Sequence, residues 1–359
     1  MYNYSSIKKI HLEITQACQA SCPMCDRNQN GGALNPHMTG AELSLEDCMN
    51  IFEPKFIGQL NQMYMCGNLG DPIVAKDTLE VFEYFRRHNP KIWLSMNTNA
   101  GARDSDWWKE LSKIFGRMGA VTFSVDGLED TNHLYRQGVN WAKVENSMES
   151  FIEAGGRARW DYIIFEHNQH QVQEAEQLSK LMGFEKFVAK KTGRFVTSRS
   201  EKKDVHQAVN RKGVETTLLE KPSSEQWQNV SLIKYDKVVE KHGSMDSYYD
   251  RAVITCKVKD EGNLFISAEG LALPCCWTAG RMYKWWHPDP KVEQIWDVID
   301  SVGGKEALNA KNGLAKVFDT GIFDIIEQSW SKNSCADGKL KICSMKCGNE
   351  FDPFGDQFK

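Results

Sequence analysis

The sequence predicts an α/β fold, a partial (β/α)6 TIM-like barrel with a small C-terminal domain, on three observations. Short alternating apolar stretches recur through the first half, each followed by a stretch with helical spacing. Six such units in succession favour a parallel sheet with crossover helices. No seventh or eighth unit of comparable quality follows, so a partial barrel fits better than a closed one. The third observation is the distribution of eleven cysteines over 359 residues, at 18, 22, 25, 48, 66, 256, 275, 276, 335, 343 and 347. The gap between 66 and 256 sets a late cysteine-bearing region apart from the barrel.

The elements follow in order. Ile10 to Thr15 alternates as a first strand and runs into the cysteine loop. Ser44-Leu45-Glu46-Asp47 reads as a capping box, with Leu45, Met49 and Phe52 at helical spacing. Gln62 to Cys66 is a second strand, ending in Gly67-Asn68-Leu69-Gly70-Asp71-Pro72. Asp77 then caps a helix carrying Leu79, Phe82 and Phe85, which stops before Pro90. Ile92 to Met96 is a strand, and Trp107, Leu111 and Ile114 mark the next helix. Val121 to Val125 is followed by a stripe of Val144, Met148, Phe151 and Ile152, closed by Gly155-Gly156. Trp160 to Phe165 is a fifth strand, Gln169 to Met182 a helix ended by Gly183, and Phe187 to Ala189 opens a sixth strand.

The rhythm breaks from Gly193 to about Gln228, which is polar and charged without a sustained period and reads as a solvated connector. The expected division is therefore 1–192 for the barrel, 193–250 for a charged or helical connector, and 251–359 for the C-terminal domain.

Composition narrows the function classes. With 44 basic against 48 acidic residues, the net charge of -4 gives no sign of a nucleic-acid partner. No apolar run approaches a membrane span, and the N-terminus lacks the apolar core of a signal peptide. An odd cysteine count in a chain this long argues against a disulfide framework. A reducing cytoplasm is the expected compartment, and there grouped cysteines hold metals more often than each other.

Cys18-x3-Cys22-x2-Cys25 packs three thiols into one short loop, with no fourth cysteine or histidine beside them. Structural zinc prefers two ligand pairs closing a tetrahedron. Three sulfurs from one loop suit three irons of a cubane and leave the fourth iron open to a small molecule.

That trio directly after the first strand of a six-unit βα barrel resembles the signature of the radical S-adenosylmethionine (SAM) superfamily. The resemblance implies an enzyme in which Cys18, Cys22 and Cys25 bind a [4Fe-4S] cluster whose open iron is chelated by SAM. A reductant such as flavodoxin or ferredoxin would supply the electron that cleaves SAM to methionine and a 5'-deoxyadenosyl radical, which takes hydrogen from substrate. The protein's share is binding, orientation and exclusion, from loops at the carboxyl ends of the strands.

Further matches follow in order. Gly70-Asp71-Pro72 resembles the Gly-Glu-Pro turn that holds the SAM amino group, with the acid's reach shortened. Asn97, in Asn97-Thr98-Asn99, stands where the ribose-side motif ends the third strand. Ser124 and Asp126, in Ser124-Val125-Asp126-Gly127, resemble the stretch that contacts the SAM ribose or carboxylate. Arg136 stands where an arginine pairs with the SAM carboxylate; a plain surface salt bridge explains it equally well. Met24 replaces the usual aromatic before the last cysteine, and its thioether fills similar space. Asn168 reads as a neutral helix cap, and His167 and His170 as surface histidines.

Cys256, Gly270 and Cys275 resemble the opening of the SPASM and twitch auxiliary-cluster domains, with Ala268-Glu269-Gly270 as a hairpin turn. Cys343-x3-Cys347 resembles the closing part. Ser334 and Asp337 stand where a full SPASM domain has further cysteines, so one auxiliary [4Fe-4S] cluster on Cys256, Cys275, Cys343 and Cys347 is implied. Cys335 is the rival ligand, and four thiolates would also suit zinc. Cys276 is expected to turn away along a strand, with Cys48 on a helix and Cys66 on a strand as packing residues.

The resemblance implies modification of a peptide or protein side chain. A small-molecule oxidation or rearrangement using a single twitch cluster is the alternative, and a non-catalytic iron–sulfur or zinc scaffold is the reading from another class. With no second auxiliary cluster expected, sulfatase maturation is disfavoured.

Overall fold

The computed structural model describes residues 2–196, 199 and 201–358. Met1, Lys359 and, within the expected connector, Thr197, Ser198 and Ser200 lie outside the described residues. Six strands recur with intervening helices: β1 (Lys9–Leu12), β2 (Gln62–Met65), β3 (Trp93–Thr98), β4 (Gly119–Ser124), β5 (Ala158–Ile164) and β6 (Lys186–Lys191). They are followed by β7 (Val205–Val209), β8 (Glu215–Glu220), β9 (Asn263–Ile266) and β10 (Ala272–Leu273). The fold is α/β with a mostly parallel sheet and crossover helices, as in a partial TIM barrel.

The chain forms two compact units, and their boundary falls within β3. One comprises Met1–Ala17, Asn35–Met96 and Tyr249–Asn349; the other comprises Cys18–Leu34, Asn97–Tyr248 and Glu350–Lys359.

In the first unit β1 pairs in parallel with β2 on one side and β9 on the other, and β2 pairs in parallel with the first four residues of β3. β9 turns back into β10 as an antiparallel pair. A late strand thus joins the sheet beside β1, although no further βα unit precedes it in the sequence pattern. Alternation assigns the faces: Ile10 and Leu12 are fully buried, while His11 stacks on Tyr64 at 4.5 Å and meets Phe265 edge-on at 4.9 Å. Those three residues occupy one register row of three adjacent strands.

His11 Nε2 donates to the Cys66 carbonyl at 2.5 Å, one residue beyond β2, so Cys66 is not itself in the strand. Burial lowers the His11 pKa to about 4, more than that bond restores. The unfolded chain therefore binds a proton below about 6.5 that the folded chain refuses, and stability falls as pH drops. His11→Phe removes this dependence: from pH 7.5 to 5 the wild type should lose about 2 kcal/mol more than the variant in urea unfolding. Equal losses would show that His11 is protonated in the fold.

Helix Leu45–Ile51 starts with the expected Ser44–Asp47 capping box. It buries Cys48 and Ile51, while Met49 faces solvent, so the apolar stripe runs one position from the expected one. Asp77 precedes helix Thr78–His88 without capping it; its Oδ2 accepts the Leu45 N–H at 2.9 Å and ties the two helix starts together.

In the second unit β4, β5 and β6 run parallel in sequence order. Helices Ser105–Phe115 and Trp141–Glu153 cover them with Trp108, Phe115 and Phe151 around Phe123. Helix Val172–Met182 ends on Gly183 in the left-handed region (φ 89°), where only glycine is free of Cβ strain. Asn168 is a fully buried tie rather than a simple cap. Its Nδ2 donates to the Asp126 and Ile163 carbonyls, both at 2.9 Å, and its Oδ1 accepts the Phe165 N–H at 2.7 Å.

The expected charged connector contains the antiparallel hairpin β7–β8 and helix Ser231–His242. The hairpin belongs to the fold through partners distant in sequence. Val209 N–H donates to the Asn30 carbonyl at 2.9 Å, and His206 Nε2 lies 3.2 Å from the Pro23 carbonyl.

Candidate functional site

The loop from Cys18 to Leu34 belongs to the second unit and is fixed by its own backbone. Cys25 N–H donates to the Cys22 carbonyl at 3.1 Å, and Ser21 is held at both ends, its N–H to Gln137 O and its Oγ to Gly31 O, each at 2.8 Å. Burial first, and the Cys22 thiol next, push the Cys25 thiol up to about 11. Ionising the Cys25 thiol in the fold therefore calls for cations or hydrogen-bond donors nearby.

Such partners stand around the loop. Asn99 Nδ2 lies 3.5 Å from Cys18 Sγ, and Arg136 Nη1 lies 3.8 Å from Cys22 Sγ. Arg194 Nη1 donates to the Met24 carbonyl at 3.1 Å, with its guanidinium 6.0 Å from the Tyr135 ring centroid. Arg211 Nη2 donates to the Gln19 carbonyl. Three arginines and an amide directed at a thiol-bearing loop suit an anionic thiolate set bound to a cluster.

At the end of β4, Asp126 is fully buried, and its Oδ1 accepts the Ile163 N–H at 2.6 Å. Arg136 Nε stands 2.7 Å from Asp126 Oδ2, an ion pair in which the N–H is not aimed at the oxygen, so neither atom makes a hydrogen bond. Burial opposes the guanidinium charge, but Asp126, then Cys22, outweigh it and hold its pKa above the ordinary value. The pair is internal, not a surface salt bridge. Ser124 is half-buried opposite Asp161 in the β4–β5 register.

In the first unit, the turn after β2 is held by its own neighbours. Asp71 N–H donates at 2.9 Å to the carbonyl of Ala17, the residue before Cys18 in sequence. The Asp71 carboxylate accepts the Ile73 N–H at 3.2 Å and caps a short 3-10 turn starting at Pro72. A Cβ on Gly70 would lie 2.0 Å from the Thr15 carbonyl oxygen, so only glycine fits that approach.

The first unit also gathers late cysteines. Cys256, Cys275, Cys343 and Cys347 all line one pocket walled by Ile254, Trp277, Ile326 and Trp330. Thr255 N–H donates to Cys347 O at 3.1 Å and brings the first and last of the four together. The Cys347 thiol, then burial, push the Cys256 thiol well up; burial, then Cys275, do the same to Cys343. Among the described residues no three His, Cys, Asp or Glu side chains converge as ligands of one metal ion do. Thiols spread around a cavity suit a cluster that takes each on a separate iron better than a single zinc.

Residues 12–177 match the model of the radical SAM superfamily. The match covers a little under half of the chain. It includes the cysteine trio and every position expected to contact SAM, whereas the four late cysteines lie beyond it. No curated protein matches the chain.

Similar solved structures include Streptococcus suis SuiB bound to S-adenosylmethionine, at 14% identity over 77% of this chain and TM-score 0.47. This chain spans 60% of that protein's length. Native anSMEcpe with bound AdoMet is 15% identical over 98% of this chain and 95% of that one, with TM-score 0.53. BtrN in complex with AdoMet and 2-DOIA is 11% identical over 98% and 97% of the two chains, with TM-score 0.40. The anSMEcpe likeness is one of fold.

Within the matched residues the second unit brings together Cys18, Cys22, Cys25, Asp126 and Arg136. Asn97 is half-buried one residue before the end of β3, but it is Asn99 that reaches Cys18, and Gln19 Nε2 in turn donates to Asn99 Oδ1. Gly70, Asp71 and Pro72 form their own turn in the first unit. Arg194 was hidden in the segment read as a solvated connector.

His167, expected at the surface, stacks on Phe165 at 5.4 Å. Both its ring nitrogens are buried without a partner among the described residues, and burial lowers its pKa to about 4.

Cys335 is not among the residues lining the late cavity; its N–H donates to Asp250 Oδ1 at 2.6 Å. Cys275 and Cys276 do not share a strand. Cys275 precedes helix Cys276–Gly280, which Cys276 opens, with the Cys276 carbonyl accepting from Asn68 Nδ2 at 3.0 Å.

Proposed function

We propose that the chain is a radical SAM enzyme that abstracts hydrogen from a peptide or protein side chain. The observation that carries this reading is the thiol trio in one loop, with Arg136 at Cys22 and Asn99 at Cys18. Cys18, Cys22 and Cys25 would hold a [4Fe-4S] cluster, and Cys256, Cys275, Cys343 and Cys347 an auxiliary one. When bound, the first cluster and SAM supply an electron and the 5'-deoxyadenosyl radical that takes hydrogen from substrate.

The residues of the chain do the rest. Asn99 donates to Cys18 Sγ, and Arg136 offsets negative charge at Cys22. Asp126 orients that arginine while its other oxygen braces β5 through the Ile163 N–H. Gly70, Asp71 and Pro72 would hold the SAM amino group, with Asn97 and Ser124 toward the ribose. Flavodoxin or ferredoxin would deliver the electron. Among the described residues no helix is long and apolar enough to cross a membrane, and a cytoplasmic location fits the free thiols.

Peptide modification rests on the resemblance of the Cys256–Cys275 segment to auxiliary-cluster domains. One cavity for four thiols, with Cys335 outside it, favours the second reading, oxidation or rearrangement of a small molecule with a single auxiliary cluster. The test is anaerobic reconstitution with iron and sulfide, followed by SAM and dithionite. Formation of 5'-deoxyadenosine is expected. Its absence from protein with a loaded N-terminal cluster would leave a non-catalytic iron–sulfur scaffold.

A further inference from the structure

Glu13 lies just beyond β1 and is only 3% exposed. Among the described residues it has no cationic partner; backbone amides neutralise it instead. Its Oε1 accepts the Leu69 N–H at 2.6 Å, and the N–H groups of Asn68 and Gly70 bear on the same carboxylate. Burial raises the carboxyl to about 7 against the pull of these three amides. Three consecutive N–H groups around a buried acid form a backbone nest, which binds the ionised form of that acid.

The consequence falls on the opposite edge of the turn. In a trans peptide the N–H and the preceding C=O point in opposite directions, and no described peptide bond is cis. With the Asn68, Leu69 and Gly70 N–H groups turned to Glu13, the carbonyls of Gly67, Asn68 and Leu69 face away from it. Among the described residues the Gly67 and Leu69 carbonyls accept no hydrogen bond. The turn has little freedom to re-orient: a Cβ on Gly67 would stand 1.9 Å from the Gly70 oxygen. Its flank is tied by Asn68 Nδ2 to the Cys276 carbonyl.

We propose that Glu13 is a positioning residue for SAM, holding the Gly67–Asp71 turn so that its free carbonyls meet the ligand's amino group. The inference rests on the radical SAM reading above. A carboxylate suits the task because it only accepts, and charge strengthens each amide bond. A glutamine would present its own NH2 donor to the same three donors and turn the segment out of register.

The test is SAM-dependent 5'-deoxyadenosine formation by the reconstituted full chain, measured against SAM concentration for wild type and Glu13→Gln. The variant should raise the SAM KM about tenfold, the loss of roughly one charge-assisted hydrogen bond, with iron content and kcat at saturating SAM retained. An unchanged KM would overturn the proposal. So would a fall in iron and kcat together, because Glu13 would then serve folding alone. Gly70→Ala is the second variant, pushing the same turn from the Thr15 side. It should reproduce the KM rise, and a normal KM there would also overturn the proposal. A loaded wild type that forms no 5'-deoxyadenosine would overturn the radical SAM reading itself, and the role of Glu13 with it.

Discussion

Alanine at Cys18, Cys22 and Cys25 together is expected to reduce 5'-deoxyadenosine formation to background and to lower bound iron from about eight to about four atoms per chain. The argument is one of independence. The trio belongs to the loop of the second unit, and the four late cysteines line a cavity composed of first-unit residues. Sites that share no ligands load separately, so emptying one leaves the spectrum of the other. Alanine at Cys256, Cys275, Cys343 and Cys347 should remove the complementary four irons. Iron counting with electron paramagnetic resonance on both variants reads this directly. Loss of all iron from the first variant would contradict the division, and eight irons retained in the second would move the auxiliary ligands elsewhere, Cys335 among them.

The parts of this site that were legible in the sequence are those written in local spacing. Three cysteines within one turn of loop after an alternating strand need no tertiary information, and neither does the Ser44–Asp47 capping box. The ranges of β1 to β5 were legible because each strand gathers its apolar residues in one short stretch of chain. What escaped was set by partners far along the chain. Arg194 reads as solvated in a polar segment because the Met24 carbonyl it binds is 170 positions earlier.

The same cause explains the hairpin β7–β8. Its residues are short, polar and weakly periodic, and the bonds from Val209 to Asn30 and from His206 to Pro23 bring it onto the cysteine loop. Asn168 has the chemistry of a cap, but the carbonyls ending β4 and β5 were in reach and claimed its amide. Asn97 and Asn99 share a strand face by period, so pattern alone does not decide which meets a cysteine; the chain's turn at Ala100, with φ 60°, follows Asn99. For Glu13, alternation gives only the polar face it shares with His11, and nothing local announces its burial or the three amides around it.

Arg136→Met should destabilise the fold by about 3–5 kcal/mol, the usual result of stripping one partner from a buried ion pair. Asp126 has no exposure to solvent and its Oδ2 pairs with Arg136, so the methionine variant leaves a buried carboxylate with one amide bond and without its paired cation. The double variant Arg136→Met with Asp126→Asn removes the stranded charge while keeping an oxygen for the Ile163 N–H. It should recover most of the loss, because replacing both members of such a pair costs far less than removing one. Urea unfolding of the two variants and wild type makes the comparison, and a single variant as stable as wild type would place the pair in water. Activity should separate from stability. The double variant regains its fold but not its cation at Cys22, 3.8 Å from Arg136 Nη1, so its 5'-deoxyadenosine formation should stay well below wild type even where its unfolding curve returns.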